Sequence, residues 1–240
     1  MTNFISAASY AASQALASQG SKVKLSHLGE VIAALLGYRT YAALSLEEGD
    51  ASLYYHLGDA EILVLNEPMG LARVRELNVS PSEEGCQAVV NACIRAIKAG
   101  AEADTVFIGV ANFYDSHARE ALAEAIASSD AVADAMAGSN AFFPDEPDMP
   151  LECPATADLW TAVDEWTIEA DGDMAGQYDP EGDRMFNGDT LNCRGRITYR
   201  KAGRAGLVFQ DSDGTGGADD SWRDRDREDE QAYFNDPERP

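Results

Sequence analysis

Basic residues are scarce in this chain. Its 240 residues hold 18 Lys and Arg against 42 Asp and Glu, a formal net charge of −24. Such a field repels nucleic acid and anionic membranes, and leaves a basic protein surface as the favoured partner. Long apolar runs are absent, and none approaches the ~18 residues that would suggest a membrane span. The first Lys or Arg is Lys22, and Ser, Asn and Gln interrupt the Ala-rich start, so the basic head and apolar centre of a secretory signal are missing. This pattern predicts a cytoplasmic protein. No GxxxxGK[ST] and no GxSxG occurs, which removes the phosphate-cradling loop and the nucleophile elbow. The four cysteines, Cys86, Cys93, Cys153 and Cys193, form no CxxC pair, and the three histidines, His27, His56 and His117, are scattered. Zinc needs four converging ligands, so no zinc site is expected. Cys86 and Cys93 lie seven apart on one face of a predicted helix and read as small buried residues.

The charge is strongly segregated. Residues 141–190 hold 14 acids against one Arg, residues 191–210 hold five basic residues and no acid, and residues 211–240 hold 11 acids against four Arg. The apolar share of 45% is that of a globular chain, so the acidity belongs to a folded surface rather than to an unfolded whole.

Periodicity divides the chain into five stretches and predicts an α+β fold. Residues 1–48 read as an N-terminal helical module, with Phe4, Ala8, Ala11, Ala12, Ala15 and Leu16 as one stripe, a helix capped by Ser26, and a short helix over 40–46. Residues 49–140 read as a mixed α/β middle. A hairpin is expected over 52–65 around Gly58-Asp59. A helix opens at Ser80-Pro81-Ser82-Glu83, a buried strand covers 105–110, and a long helix covers 115–137. The stretch 71–77 fits a strand poorly and is left unassigned. Residues 141–156, rich in proline, read as a linker. Residues 157–210 read as a small antiparallel sheet with a hairpin turning at Asp171-Gly172-Asp173. Leu191, Cys193, Ile197 and Tyr199 alternate there with Arg194, Arg196 and Arg200, and Gly195 suggests a bulge. Residues 211–240 read as an acidic disordered tail whose large apolar groups are Trp222, Tyr233 and Phe234.

Leu25–Leu44 reads LSHLGEVIAALLGYRTYAAL. Over about residues 8–46 it resembles the glyoxalase-related helical accessory domain, through Leu25, Ser26, His27, Glu30, Ala34, Leu36, Gly37, Tyr38, Arg39, Tyr41 and Leu44. The resemblance implies an all-helical module found beside varied partners. It does not imply lactoylglutathione chemistry, because the rest of the chain shows no repeated βαβββ unit.

Three functional readings follow. The first is a non-enzymatic acidic interaction protein, in one version a nucleic-acid mimic, binding a basic protein surface. Asp164, Glu165, Glu169, Trp222, Tyr233 and Phe234 are its contact residues, and it involves no direct nucleic acid and no membrane. The second is a carboxylate- or metal-dependent enzyme using Asp164, Glu165 or Asp183, with Asp171, Asp173, Asp179 and Asp183 as a loose Mg²⁺ or Ca²⁺ set. The loop lacks EF-hand spacing, because the twelfth residue from Asp171 is Gly182. A solvated acidic face explains the same residues without a metal. The third is a DNA-binding regulator through residues 26–46, although Lys22, Lys24 and Arg39 are the basic residues at hand. The oligomeric state is not legible in the sequence.

Overall fold

Apolar periodicity in the first hundred residues produces helices that cannot bury their stripes alone. In the computed structural model, which describes residues 2–101, 105–139, 141–178, 181 and 189–219, those stripes converge. Helices α1 (Thr2–Ser18), α2 (Leu25–Leu35) and α3 (Tyr41–Glu48) are followed by strand β1 (Ile62–Leu65). Helices α4 (Glu67–Glu76) and α5 (Glu83–Gly100) then lead to strand β2 (Thr105–Ile108). Strands β1 and β2 pair in parallel, with Ile62 opposite Thr105 and Leu65 opposite Ile108. Two helices supply the crossover that a parallel pair requires; β1 is fully buried, whereas β2, expected as a buried strand over 105–110, ends at Ile108 and buries Phe107 alone.

The chain then forms α6 (Gly109–Phe113), a π-turn over Tyr114–Ala118, α7 (Arg119–Ala127) and α8 (Asp130–Gly138). A two-residue strand β3 (Ala141–Phe142) precedes β4 (Glu165–Ala175), β5 (Gln177–Tyr178), β6 (Thr190–Ala202) and β7 (Gly206–Ala218). The main sheet runs β2-β1-β7-β6-β4, and β3 pairs with β5 in a second, two-stranded sheet. The fold is therefore α+β, with a mixed sheet whose β1–β7 junction is antiparallel.

The chain divides into two compact units built from interleaved segments. The first is Met1–His117, Ala155–Thr167 and Thr198–Asp211; the second is Ala118–Pro154, Ile168–Ile197 and Ser212–Pro240. In the first unit α2 is the centre. Leu28, Val31, Ile32, Ala33 and Leu35 are all fully buried, packed with Leu16 of α1, Val90 and Ile97 of α5, and Leu63 and Leu65 of β1. The N-terminal helices share one core with α4 and α5. Cys86 and Cys93 lie on the buried face of α5, as their spacing predicts, and burial pushes the Cys93 thiol up to about 12.

In the second unit, α7 and α8 lie against strands β6 and β7. A Cβ on Gly195 would stand 2.8 Å from the carbonyl oxygen of Leu122, and one on Gly214 would stand 2.5 Å from that of Ala125. Glycine at these positions lets a helix backbone rest directly on the sheet. The unbroken alternation of burial along β6 shows that Gly195 marks this close approach and not a bulge.

Several local expectations are corrected. No hairpin forms over 52–65: β1 is a strand, but the preceding stretch holds turns and a single 3-10 turn at Leu57–Asp59. The unassigned stretch 71–77 belongs to α4, whose N-cap Asn66 accepts from the Met69 N–H. Ser82, not Ser80, caps α5, with Oγ accepting from Gly85 N–H at 3.1 Å. Ser26 lies inside α2, whose N-cap position is Lys24. The long helix expected over 115–137 is split by the π-turn and by Ser128-Ser129. Asp171-Gly172-Asp173 is no turn, because β4 runs straight through it. The linker is tied down: Ala141 pairs with Tyr178, and Asp148 exchanges two backbone bonds with Asp173. Asp211–Ala218, expected as the start of the tail, continues β7. Residues 220–240 lie outside the described residues.

Replacing Gly214 with Val forces a side chain against the α7 backbone. We expect a loss of about 1–3 kcal/mol in urea unfolding, while Gly217→Val, where a Cβ meets open space, stays near neutral.

Candidate functional site

Strand β6 organises the charged surface. Its inward positions are Leu191, Cys193, Gly195, Ile197, Tyr199 and Lys201, and its outward positions include Arg194, Arg196 and Arg200. Strand β4 alternates in the same way, burying Trp166, Ile168, Ala170 and Met174 and exposing Glu165, Glu169, Asp171 and Asp173. The side-chain pairs set the register. Arg200 meets Glu165 at 3.0 Å, the Thr167 and Thr198 hydroxyls share a bond at 3.3 Å, and Arg194 Nε donates to Asp171 at 2.6 Å. Each pair's partner falls in one strand as the other rises, so β4 and β6 are antiparallel, and Arg196 stands opposite Glu169. Arg196 instead turns toward Asp213 of β7 at 3.4 Å.

The outer face of this sheet is a ladder of acids, arginines and acids. Cross-strand ion pairing accounts for the basic cluster of β6. The pairs are exposed, so each adds little stability. The Arg194 guanidinium holds the Asp171 carboxyl below the usual carboxylate range, keeping it ionised at neutral pH. Among the described residues Glu169 and Asp173 form no ion pair, although the Glu169 charge acts on Arg194.

The other predicted residues are placed as follows. Asp164 sits just before β4, exposed, and its backbone carbonyl accepts the Lys201 N–H at 2.9 Å. Glu165 is paired with Arg200 and so is not a spare acid or base. Asp171 and Asp173 share the outer face of β4, but among the described residues no three metal-ligating side chains converge. Asp179, Asp183, Trp222, Tyr233 and Phe234 lie outside the described residues. The helices proposed to read DNA do not present a basic surface: α2 holds no Lys or Arg and buries Leu28–Gly29 and Val31–Leu35, and α3 carries Glu47 and Glu48. No described helix is long and apolar enough to cross a membrane.

A polar cluster in the first unit escaped the sequence reading. Tyr38 Oη donates to Glu47 Oε1 at 2.7 Å and accepts from the Arg204 N–H at 3.1 Å. The Arg204 guanidinium lies 5.2 Å over the Tyr38 ring, and its Nε is 3.8 Å from Glu47. Gly203, at φ 64°, makes this turn; a Cβ there would press on the Tyr38 hydroxyl at 2.8 Å. Lys201 is 7% exposed, and its Nζ donates to the Arg204 carbonyl at 2.8 Å. Burial lowers its pKa to about 7, against the opposing pull of Glu47 and Asp158. With its amine enclosed and bonded to the turn it closes, Lys201 is a structural group. The signal was present in the sequence, because Lys201 shares the inward parity of Tyr199 and Ile197.

No family model, curated protein or solved structure matches this chain.

Lys201 makes stability depend on pH. The folded chain releases this proton near pH 7, whereas the unfolded chain keeps it to about 10.5. Between these values the unfolded state binds more protons, so stability rises with pH from about 7 to 9. Higher still, the raised Cys93 thiol and Tyr38 and Tyr199 hydroxyls reverse the trend, because the unfolded chain ionises them first. Melting curves across pH 6–10 should show the rise, and Lys201→Met should flatten it and stabilise the protein most at the acid end.

Proposed function

We propose that this protein is an acidic interaction protein that binds a basic protein surface through the outer face of β4. The carrying observation is the row Glu165, Glu169, Asp171 and Asp173, four carboxylates on one face of a single edge strand, with Glu169 and Asp173 unpaired among the described residues. Strand geometry spaces alternate side chains at about 6.6–6.8 Å, which matches basic side chains at every second position of an extended partner. The net charge of −24 speeds approach of a basic partner, and the β4 row supplies the place where it stops. Trp222, Tyr233 and Phe234, which lie outside the described residues, belong to the same reading as apolar contact residues.

A general field and a located site make different predictions. Glu169→Lys with Asp173→Lys should weaken binding of a synthetic Arg-rich peptide by about tenfold or more, and the complex should be sensitive to salt. Glu120→Lys with Glu124→Lys, on the exposed side of α7, changes net charge equally and should cost far less. Equal losses in a titration of the two variants would replace the β4 site with a diffuse field.

A further inference from the structure

The backbone of β4 carries a second feature, independent of its charges. Among the described residues β4 is the terminal strand of its sheet, with β6 as its neighbouring strand. In a strand, consecutive residues turn their N–H and C=O groups to opposite sides. The Asp164 carbonyl faces β6, where it accepts the Lys201 N–H. Asp173, of the other parity, faces away from β6: it accepts from Asp148 N–H at 2.8 Å and donates to the Asp148 carbonyl at 3.2 Å. Glu165, Thr167, Glu169 and Asp171 share the parity of Asp173, so their backbone groups point to the open side. Among the described residues none of these four has a backbone partner on that side.

The chain itself shows why the cover stops at Asp148. Pro147 and Pro150 flank Asp148 and Met149. The next outward pairing from the antiparallel Asp148–Asp173 bridge would set Pro150 opposite Asp171, and proline has no N–H to give. Proline therefore cannot complete a two-bond pairing there, and among the described residues Asp148–Asp173 is an isolated bridge. Seven residues of edge, Glu165–Asp171, are left as a template that already accepts backbone bonds at its far end.

We propose that this edge of β4 takes up an extended segment of a partner as an added strand, one with Lys or Arg at every second position and apolar residues between. The inference rests on the reading of β4 as the binding face and deepens it. The basic positions would lie beside Glu165, Glu169 and Asp171 on the outer face, where opposite charges across a pair of strands are favourable. The apolar positions would extend the layer formed by Trp166, Ile168 and Ala170 on the inner face. A second copy of this chain is disfavoured on the same edge, because it would set acids against acids. Main-chain bonds supply affinity in this mode and the alternating side chains supply selectivity.

The test uses the full chain and three synthetic ten-residue peptides of equal charge: alternating Arg and Val, the same sequence with alternate backbone nitrogens methylated on the pairing side, and a block of Arg followed by Val. By calorimetry the alternating peptide should bind best, with methylation and block order each weakening it about tenfold or more. Thr167→Pro removes an outward N–H without changing charge; because it also removes the hydroxyl bond to Thr198, Thr167→Val is its control, and the proline variant alone should weaken the alternating peptide similarly at a melting temperature matched to Thr167→Val. The methylated peptide needs no variant, so the test survives if Thr167→Pro fails to fold. Equal binding of all three peptides, still lost in Glu169→Lys with Asp173→Lys, overturns strand addition and leaves the acidic face standing. Binding of none overturns both. A concentration-dependent dimer in sedimentation that Thr167→Pro abolishes assigns the edge to a second copy and overturns the basic partner.

Discussion

The alternation of β6 is the constraint on which the charged half of this protein depends. One parity must be acceptable to a packed interior, and the other must be acceptable to water beside two neighbouring strands. Inward, the strand offers Leu191, Cys193, Ile197 and Tyr199, with glycine where α7 presses closest. Outward, it offers three arginines, which would repel one another were acids not supplied on both sides by β4 and β7. A slip of one residue in the β4–β6 register would bury the carboxylates and expose Trp166 and Ile168, so packing and charge enforce the same pairing. The acids of β4, the arginines of β6 and Asp211 and Asp213 of β7 thus set acidic, basic and acidic strands side by side.

Much of this was legible in the sequence, and the reasons for success and failure are physical. The helical stripes of α1, α2 and α5 and the alternation of β6 are long signals, and each was read correctly in type. The same alternation sets Arg194 beside Asp171 and Arg200 beside Glu165. The turn assigned to Asp171-Gly172-Asp173 failed because a local turn signal competes with tertiary context. Here the strand is held on one side by β6 and at Asp173 by Asp148, and an Asp-Gly pair inside a paired strand has no freedom to turn. Asp211–Ala218 was misread for a related reason. Its residues are small and polar, yet Gly214 is what the α7 backbone needs beneath it, and Ser129 Oγ donates to the Gly214 carbonyl at 2.5 Å.

The candidate site divides in the same way. The carboxylates of β4 were visible as a cluster, but their division into paired and unpaired members needs the register, and the open side of the strand needs the sheet order. Neither can be read from composition. The cluster of Tyr38, Glu47, Lys201 and Arg204 joins residues more than 150 positions apart in the chain, and no local pattern announces it. Lys201 alone betrayed its position, by parity.

The β1–β7 junction has a consequence for how the chain reaches this structure. Leu63 of β1 pairs with Gly206, so a strand made early must wait for one made more than 140 residues later. Until then β1 and β2 can pair, and the helices can close over them, but one side of β1 has no neighbour. Closing so long a loop is entropically costly and slow. The β6–β7 hairpin, joined by three residues, is a local structure that can form quickly and arrive as a unit. Completion of the sheet is therefore a late event, and a chain halted before β7 leaves the apolar strand β1 with an open edge.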